Sequence, residues 1–244
     1  MRADKQNIIT QLRKEILLLE GFKPASSEEN RVSGLKVIES AFPNETFPTG
    51  TIHEFVASGE QSSACLGFMS ALLASLMQEN GICLWISTSR ALFPLSLFSL
   101  GVSPDRVIFI DVSREREVLW ATEEALKCEG LTAVVSELRD IDFAQSRRLQ
   151  LATEKSKVTG FILRTNNNKI SATTCTARWQ IKSLPSELSA GMPGVGFPRW
   201  QVELLKVKNG NPAKWEFEWM AEQFLPIAQR KAESSIIEQQ KKAG

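Results

Sequence analysis

Short apolar runs alternate with helical patterns through the middle of this 244-residue chain, and no other feature restricts its fold as strongly. Each run is rich in valine, isoleucine and leucine, as expected for strands that are buried on both faces. Helices between such strands indicate a parallel sheet covered on both sides. Strands are expected at 51–56, 81–87, 106–111, 131–136 and 158–163. Helices are expected at 62–79, 115–128 and 143–157.

The pattern changes after residue 164, where an Asn-rich polar loop is followed by β-like runs. These runs lie at 176–184, 198–208 and 213–220. The last two are joined by Asn209-Gly210-Asn211-Pro212, a hairpin signal because Asn-Gly readily adopts the positive φ angles of tight turns. The sequence therefore predicts an α/β fold with a mainly parallel sheet, extended by antiparallel C-terminal strands.

Both ends of the chain differ from this central part. Near the start, apolar residues recur at three- and four-residue spacing, which is typical of an amphipathic helix: Ile8, Ile9, Leu12, Ile16 and Leu19. This stripe is a candidate docking surface for a partner, and packing on the protein's own core is the alternative. We expect an N-terminal helix and linker at 1–30, a core domain at 31–220 and a tail at 221–244.

The loop after the first expected strand lies where nucleotide-binding folds hold a phosphate. A phosphate-binding loop, GxxxxGK[ST], needs glycines for backbone approach, a lysine for the phosphate oxygens and a hydroxyl for magnesium. The best alignment puts Ala57 and Ser62 at the glycines, Ser63 at the lysine and Ala64 at the hydroxyl residue. No cation is left in this loop, so the sequence predicts a nucleotide-binding architecture that has lost its chemistry.

Composition excludes several other classes of function. The chain has 29 Lys and Arg against 28 Asp and Glu, so nucleic acid would have to be bound by a local patch. The four cysteines form no CxxC pair, so we expect no metal site and no disulfide framework. The lone histidine, His53, has no catalytic partners at a readable spacing and is expected to pack in the interior. Without a long apolar run or a signal peptide, the protein is expected in the cytoplasm, away from membranes.

Several ordered motifs resemble a known family. Residues 83–94, Cys-Leu-Trp-Ile-Ser-Thr-Ser-Arg-Ala-Leu-Phe-Pro, resemble the second core strand and following turn of the RecA recombinase, in register with the degenerate loop. Further motifs are Trp120 with Glu123-Glu124-Ala125-Leu126, Ser146-Arg147-Arg148-Leu149-Gln150, Ala177-Arg178-Trp179 and Pro198-Arg199-Trp200. Together, in this order, they resemble ImuA, a RecA-like family without the phosphate lysine that is related to the cell-division inhibitor SulA.

The resemblance implies that a second catalytic group is missing. RecA carries a glutamate that orients the attacking water in the turn after its second core strand, and the matching residue is Ser89, which cannot act as that base. Glu137 falls near the position of the magnesium-associated acid of RecA, and its alternative role is that of a solvated strand-end acid. We therefore expect no ATPase activity, weak or no ATP binding, and no cofactor.

RecA binds DNA through the loop after its fifth core strand, and residues 165–174 occupy the matching place. Candidate phosphate contacts in and near this loop and on the hairpin are Lys169, Arg178, Lys182, Arg199, Lys206 and Lys208. The six tryptophans could stack on single-stranded bases, although tryptophans in strands usually pack in the core.

The resemblance implies an accessory role in SOS-type, DNA-damage-induced mutagenesis. The expected partners are an ImuB-like Y-family polymerase homologue, an error-prone C-family DNA polymerase and RecA, and single-stranded DNA is a further candidate. Two alternatives remain: a SulA-like inhibitor of cell division that binds FtsZ, and a protein with weak residual nucleotide binding.

Overall fold

One nine-stranded sheet forms the centre of the described part of the chain. The computed structural model describes residues 11, 12, 15, 35–57, 59–77, 80–89, 92–166, 170–188 and 194–228. The strands are β1 (Ile52–Val56), β2 (Cys83–Ser87), β3 (Val107–Asp111), β4 (Ala133–Leu138), β5 (Thr159–Arg164), β6 (Ala177–Leu184), β7 (Arg199–Val207), β8 (Ala213–Met220) and β9 (Gln223–Pro226). The helices between residues 35 and 166 are α1 (Lys36–Glu39), α2 (Ser62–Met77), α3 (Glu115–Leu126) and α4 (Phe143–Ser156).

The strands follow the order β3-β2-β4-β5-β1-β6-β7-β8-β9 across the sheet. Among the first six strands in this order, every pair of neighbouring strands is parallel. The pairings of β6 with β7, β7 with β8 and β8 with β9 are antiparallel. The predicted α/β fold, with a mainly parallel sheet and antiparallel C-terminal strands, is therefore confirmed. Its specific likeness to RecA stays an expectation.

Helices cover both faces of the parallel part of the sheet. On β1, Phe55 points into the core beneath α2, whereas Ile52 points into the core beneath α3 and α4. Residues of α2 such as Phe68 fill the first core, and Val118 of α3 and Leu149 of α4 fill the second. Because the strands are covered twice, they contain almost continuous runs of apolar residues.

The start of α4 is fixed by its cap. The Asp142 carboxylate accepts the backbone N–H of Gln145 at 2.7 Å, and the Gln145 side chain accepts the backbone N–H of Asp142 at 3.0 Å. Such a reciprocal cap satisfies two backbone donors that the first turn would otherwise leave unpaired. Two residues before this cap, Asp140 forms an ion pair with Arg164 at the carboxyl end of β5.

The last strand, β9, is a correction to the sequence prediction. Residues 221–244 were expected to form a tail, but Gln223–Pro226 pairs with β8 and Phe224 is buried. The turn that leads into β9 carries positive φ at Ala221 (50°) and Glu222 (58°). Those residue types do not favour positive φ, so the turn lacks the glycine or asparagine by which hairpins are normally found in a sequence.

His53 packs in the core as predicted. Its ring is fully buried and stacks on Phe47 with centroids 4.6 Å apart. Its Nε2 lies 2.7 Å from the Pro48 carbonyl, and the Trp179 indole N–H lies 3.3 Å from its Nδ1. Both bonds form together only if the ring is neutral and carries its proton on Nε2. Protonation of Nδ1 would break the bond to Trp179.

Acid is therefore expected to destabilise the protein through His53. Burial lowers the pKa of His53 to about 4, against the opposing hydrogen bond to Pro48. The unfolded chain binds a proton on His53 near pH 6.5, whereas the folded chain binds it only near pH 4. The free energy of unfolding therefore falls by roughly 3 kcal/mol as the pH falls from 6.5 to 4. Urea unfolding between pH 4 and 7 measures it. A His53→Phe variant should be less stable at pH 7, and its free energy of unfolding should depend less steeply on pH. Equal pH dependence in the two proteins would contradict this assignment.

Among the described residues, no helix is both long enough and apolar enough to span a membrane. The described part of the chain also contains no group of three or more His, Cys, Asp and Glu side chains arranged to hold a metal ion.

Candidate functional site

The degenerate phosphate loop lies at the carboxyl end of β1, where α2 begins. Ala57 is buried and its N–H donates to the carbonyl of Arg164 at 3.0 Å. Ser62 starts α2, Ser63 is exposed and Ala64 is buried. The position that aligns with the phosphate lysine therefore presents a short hydroxyl group to solvent, which cannot reach across to a phosphate as a lysine does.

A cavity of about 470 Å³ lies beside this loop and is lined by Ser63 and Ala64 together with residues of β6, β7 and the connection between them. Its lining includes one cation, Arg199. The Arg199 guanidinium is already paired with Glu218 at 2.9 Å and with Glu187 at 2.7 Å. The described lining thus provides no cation that is not already paired with a carboxylate, which is unfavourable for a triphosphate.

The other two positions of the degenerate nucleotide site lie at the same carboxyl edge. Ser89 is exposed in the turn after β2. Glu137, near the end of β4, accepts a hydrogen bond from the Trp85 indole N–H at 2.7 Å. Burial raises the pKa of Glu137 and the nearby charge of Asp111 raises it further, while the bond from Trp85 lowers it. Glu137 is therefore held by a neighbouring strand.

A buried charge cluster occupies the edge beside the loop. Glu54 on β1 and Arg164 on β5 are both almost completely buried and form an ion pair. Arg164 also pairs with Asp140, and the Arg178 Nε donates to the second Glu54 oxygen at 3.0 Å. Thr173 and Cys175 donate to that same oxygen at 2.7 and 3.1 Å. We call these six residues the Glu54 cluster.

The Glu54 cluster fixes the chain that follows β5. Arg178 Nη2 donates to the carbonyl of Ser171 at 2.9 Å, and the Lys206 ammonium donates to the carbonyl of Thr173 at 2.7 Å. The N–H of Thr174 donates to the Ser146 hydroxyl of α4 at 3.1 Å. Residues 171–174 are thus bound to the sheet and to α4 by contacts within the chain.

Opposing effects set the charge state of Glu54. Burial raises its pKa, but the hydrogen bonds from Arg164, Thr173 and Cys175 and the charge of Arg178 outweigh burial, so the pKa lies below its usual value. Cys175 shows the reverse shift, because burial and the charge of Glu54 raise its pKa to about 11. Glu54 is therefore a buried anion held by two guanidinium groups, and Cys175 remains a thiol.

The structure does not bring the candidate DNA-binding residues into one exposed patch. Arg178 and Arg199 are corrections, because both are mostly buried and bound to carboxylates. Lys206 is half-buried, and its ammonium donates a hydrogen bond to the Thr173 carbonyl. Lys208 is half-buried and Lys182 is exposed. Lys169 lies outside the described residues.

Most of the tryptophans pack in the core, which is the usual place of tryptophans in strands. Trp85, Trp179, Trp200 and Trp219 are buried, so their rings are not available to bases. Trp120 is exposed, but it lies on α3. It therefore does not accompany the cations of the hairpin.

Of the candidate docking stripe near the start of the chain, only Leu12 is among the residues that the structure describes. Leu12 is half exposed and helical, and the neighbouring Gln11 side chain donates a hydrogen bond to the Glu15 carboxylate at 3.4 Å. Ile8, Ile9, Ile16 and Leu19 lie outside the described residues. The docking role of the stripe therefore stays a prediction.

Sequence reasoning missed the Glu54 cluster. The available signal was a carboxylate inside an apolar strand, since Glu54 lies among Ile52, His53, Phe55 and Val56. A charge at such a position is almost never fully buried unless it is paired. The partner Arg164 lies 110 residues further along the chain, so only the sheet register reveals the pair.

Comparison with known proteins gives the family. No protein-family model matches the chain. The chain is 31% identical over 191 residues to Protein ImuA of Caulobacter vibrioides strain NA1000, covering 73% of this chain and 78% of that protein. The match to Protein ImuA of strain ATCC 19089 has the same values. Among solved structures, the chain is similar to SulA from Pseudomonas aeruginosa, with a TM-score of 0.41, 22% identity and coverage of 47% of this chain and 97% of that one. On its sequence identity to the two Caulobacter proteins, the chain belongs to the ImuA family.

Proposed function

We propose that this protein is a non-catalytic accessory protein in DNA-damage-induced mutagenesis. It recruits an ImuB-like Y-family polymerase homologue and an error-prone C-family DNA polymerase for translesion synthesis. RecA and single-stranded DNA are further candidate partners. Membership of the ImuA family and the state of the carboxyl edge of the sheet support this proposal.

One observation carries the non-catalytic part of the proposal. At the edge where a nucleotide would bind, Ser63 stands in place of a lysine and Ser89 in place of a general base. The adjoining loop, residues 171–174, is bound by Glu54 and Arg178 of the Glu54 cluster. A protein that switches with nucleotide needs contacts at this edge of the sheet that differ between its nucleotide-bound and nucleotide-free states. Here the contacts are hydrogen bonds and ion pairs inside the chain, which favours a fixed binding platform.

Magnesium ATP is accordingly expected to leave the melting temperature unchanged within 1 °C. A ligand present at a hundred times its Kd would stabilise the protein by about 2.7 kcal/mol, and for a chain of this size that raises Tm by about 5 °C or more. Differential scanning fluorimetry at 5 mM ATP, with an active RecA-type ATPase as the positive control, makes the comparison. A shift of several degrees that needs magnesium and is abolished by Glu137→Gln would favour residual nucleotide binding instead.

The recruitment part is tested by quantitative pull-down from DNA-damaged cells. The full chain should enrich the polymerase homologue, the C-family polymerase or RecA over a tag-only control. Deletion of residues 1–20 separates binding through the N-terminal stripe from binding through the core. Enrichment of FtsZ without any polymerase or RecA would reject recruitment in favour of division control.

A further inference from the structure

A groove runs between α3 and α4 on the side of the sheet opposite α2. Its volume is about 440 Å³, and its described lining is Glu123, Lys127, Arg148, Leu151, Ala152, Lys155 and Ser156. The two helices are joined across it by the ion pair of Arg148 with Glu123 and by the hydrogen bond of Ser156 to the Leu126 carbonyl. These two contacts join the walls of the groove.

One large apolar side chain is exposed in the lining of this groove, and a second is exposed one helical turn away on α3. Leu151 lines it and is 48% exposed. Trp120 is 64% exposed and lies one helical turn before Glu123 on α3, so helix geometry puts both on neighbouring parts of one face. Tryptophan is enriched among the few residues that dominate binding energy at protein interfaces. The lining also includes Ala152, Lys127 and Arg148, and the methylene groups of such long side chains can cover apolar surface.

The charge of the groove is positive. Three cations, Lys127, Arg148 and Lys155, and one carboxylate, Glu123, line the groove, and a second carboxylate, Glu124, pairs with Lys127 at 2.7 Å. Glu123 is neutralised by Arg148 and by Lys127 at 3.4 Å. Lys155 forms no ion pair with any described residue and is exposed. The groove thus combines the exposed side chain of Leu151 with one cation, Lys155, that no described carboxylate neutralises.

We propose that this groove is the docking site for a protein segment that carries an apolar anchor flanked by carboxylates. The anchor packs on Leu151 and Trp120, and the carboxylates pair with Lys155 and with the outer face of Arg148. The inference rests on the proposed function, because it names the surface through which the polymerase homologue is held. Nucleic acid fits less well, because a phosphate backbone is held by several cations, and Arg148 and Lys127 of this groove are already paired with carboxylates.

The test measures binding of the purified full chain to the purified Y-family polymerase homologue by biolayer interferometry at several salt concentrations. Trp120→Ala and Leu151→Glu should each weaken binding tenfold or more. Lys155→Glu should weaken binding several-fold and reduce its salt dependence, because one screened attraction is lost. Phe143→Ala at the start of α4 and Leu95→Glu are the matched controls and should bind like the unmodified chain, because both residues are exposed but neither lines the groove nor lies on α3 next to Glu123. All substituted residues are exposed, and unchanged melting temperatures confirm that the variants fold.

Three outcomes separate the possibilities. Loss of binding in the groove variants with retention in both controls supports the docking site. Binding that is equal in all variants overturns the docking site and leaves the recruitment function standing, whereas no binding by the unmodified chain overturns both.

Fluorescence anisotropy with a labelled dT30 oligonucleotide tests the other class of ligand, nucleic acid. Oligonucleotide binding that the groove variants alone abolish, without an effect on the polymerase homologue, would overturn the proposal in favour of a nucleic-acid surface.

Discussion

Replacing Arg164 by methionine is expected to lower the free energy of unfolding by about 3–5 kcal/mol, because removing one partner of a buried ion pair leaves an uncompensated charge. Glu54 would lose its closest guanidinium while remaining buried, and Asp140 would lose its partner as well. Methionine retains most of the volume of the side chain, so the loss would come mainly from charge and not from a cavity. A change of this size is a large part of the total stability of a typical domain.

Chemical unfolding in urea at pH 7 measures this loss. Arg147→Met is the matched control, since Arg147 is exposed on α4 and the same substitution there should change stability by at most about 0.5 kcal/mol. The deficit of Arg164→Met should narrow as the pH is lowered, because a protonated Glu54 no longer needs the guanidinium. In a double-mutant cycle with Glu54→Gln, the coupling should be about 2 kcal/mol or more. A loss below 1 kcal/mol at pH 7 would mean that the cluster does not hold this edge.

Trp179→Ala is expected to cost a similar amount, about 3–5 kcal/mol, for a different reason. The Trp179 ring is fully buried on β6 and stacks on Phe55 with centroids 6.1 Å apart. It also contacts Phe42 and Phe68, and its indole N–H is bonded to His53. Truncation would open a large cavity where β1, β6 and α2 meet, and would leave the His53 acceptor unpaired.

The control for this prediction is the same substitution at an exposed tryptophan. Trp120→Ala removes the same atoms from the surface of α3 and should change the unfolding free energy by at most about 0.5 kcal/mol. Thermal and urea unfolding of both variants make the comparison. Equal losses at the two positions would contradict the burial of Trp179, and a large loss at Trp120 would show that this residue supports the fold instead of facing a partner.

The sequence predicted the strands well because their signals are local. Each of the first eight strands lies within two residues of its expected bounds, since runs of β-branched residues and the Asn209-Gly210 turn are readable without knowledge of the fold. The strand β9 was not predicted, because its turn has Ala221 and Glu222 at positive φ instead of the glycine or asparagine that marks a hairpin in a sequence. The helix α1 spans four residues, too few to show a period.

The candidate site was predicted less well than the fold. The substitutions at Ala57, Ser62, Ser63 and Ala64 can be read directly from the sequence because a phosphate loop is a contiguous motif. The roles of Arg178 and Arg199 could not be read in this way. A surface arginine and one that neutralises a buried glutamate look the same in a sequence, and the register of β6 and β7 decides between them.

The central claim is that this protein acts by binding other proteins without the help of a nucleotide. Isothermal titration calorimetry of the purified full chain with the purified Y-family polymerase homologue, in the presence and absence of magnesium ATP, tests it most directly. The account predicts a stable complex with the same Kd, within twofold, under both conditions and no phosphate release. A complex that forms only with ATP, or that is accompanied by ATP hydrolysis, would contradict it.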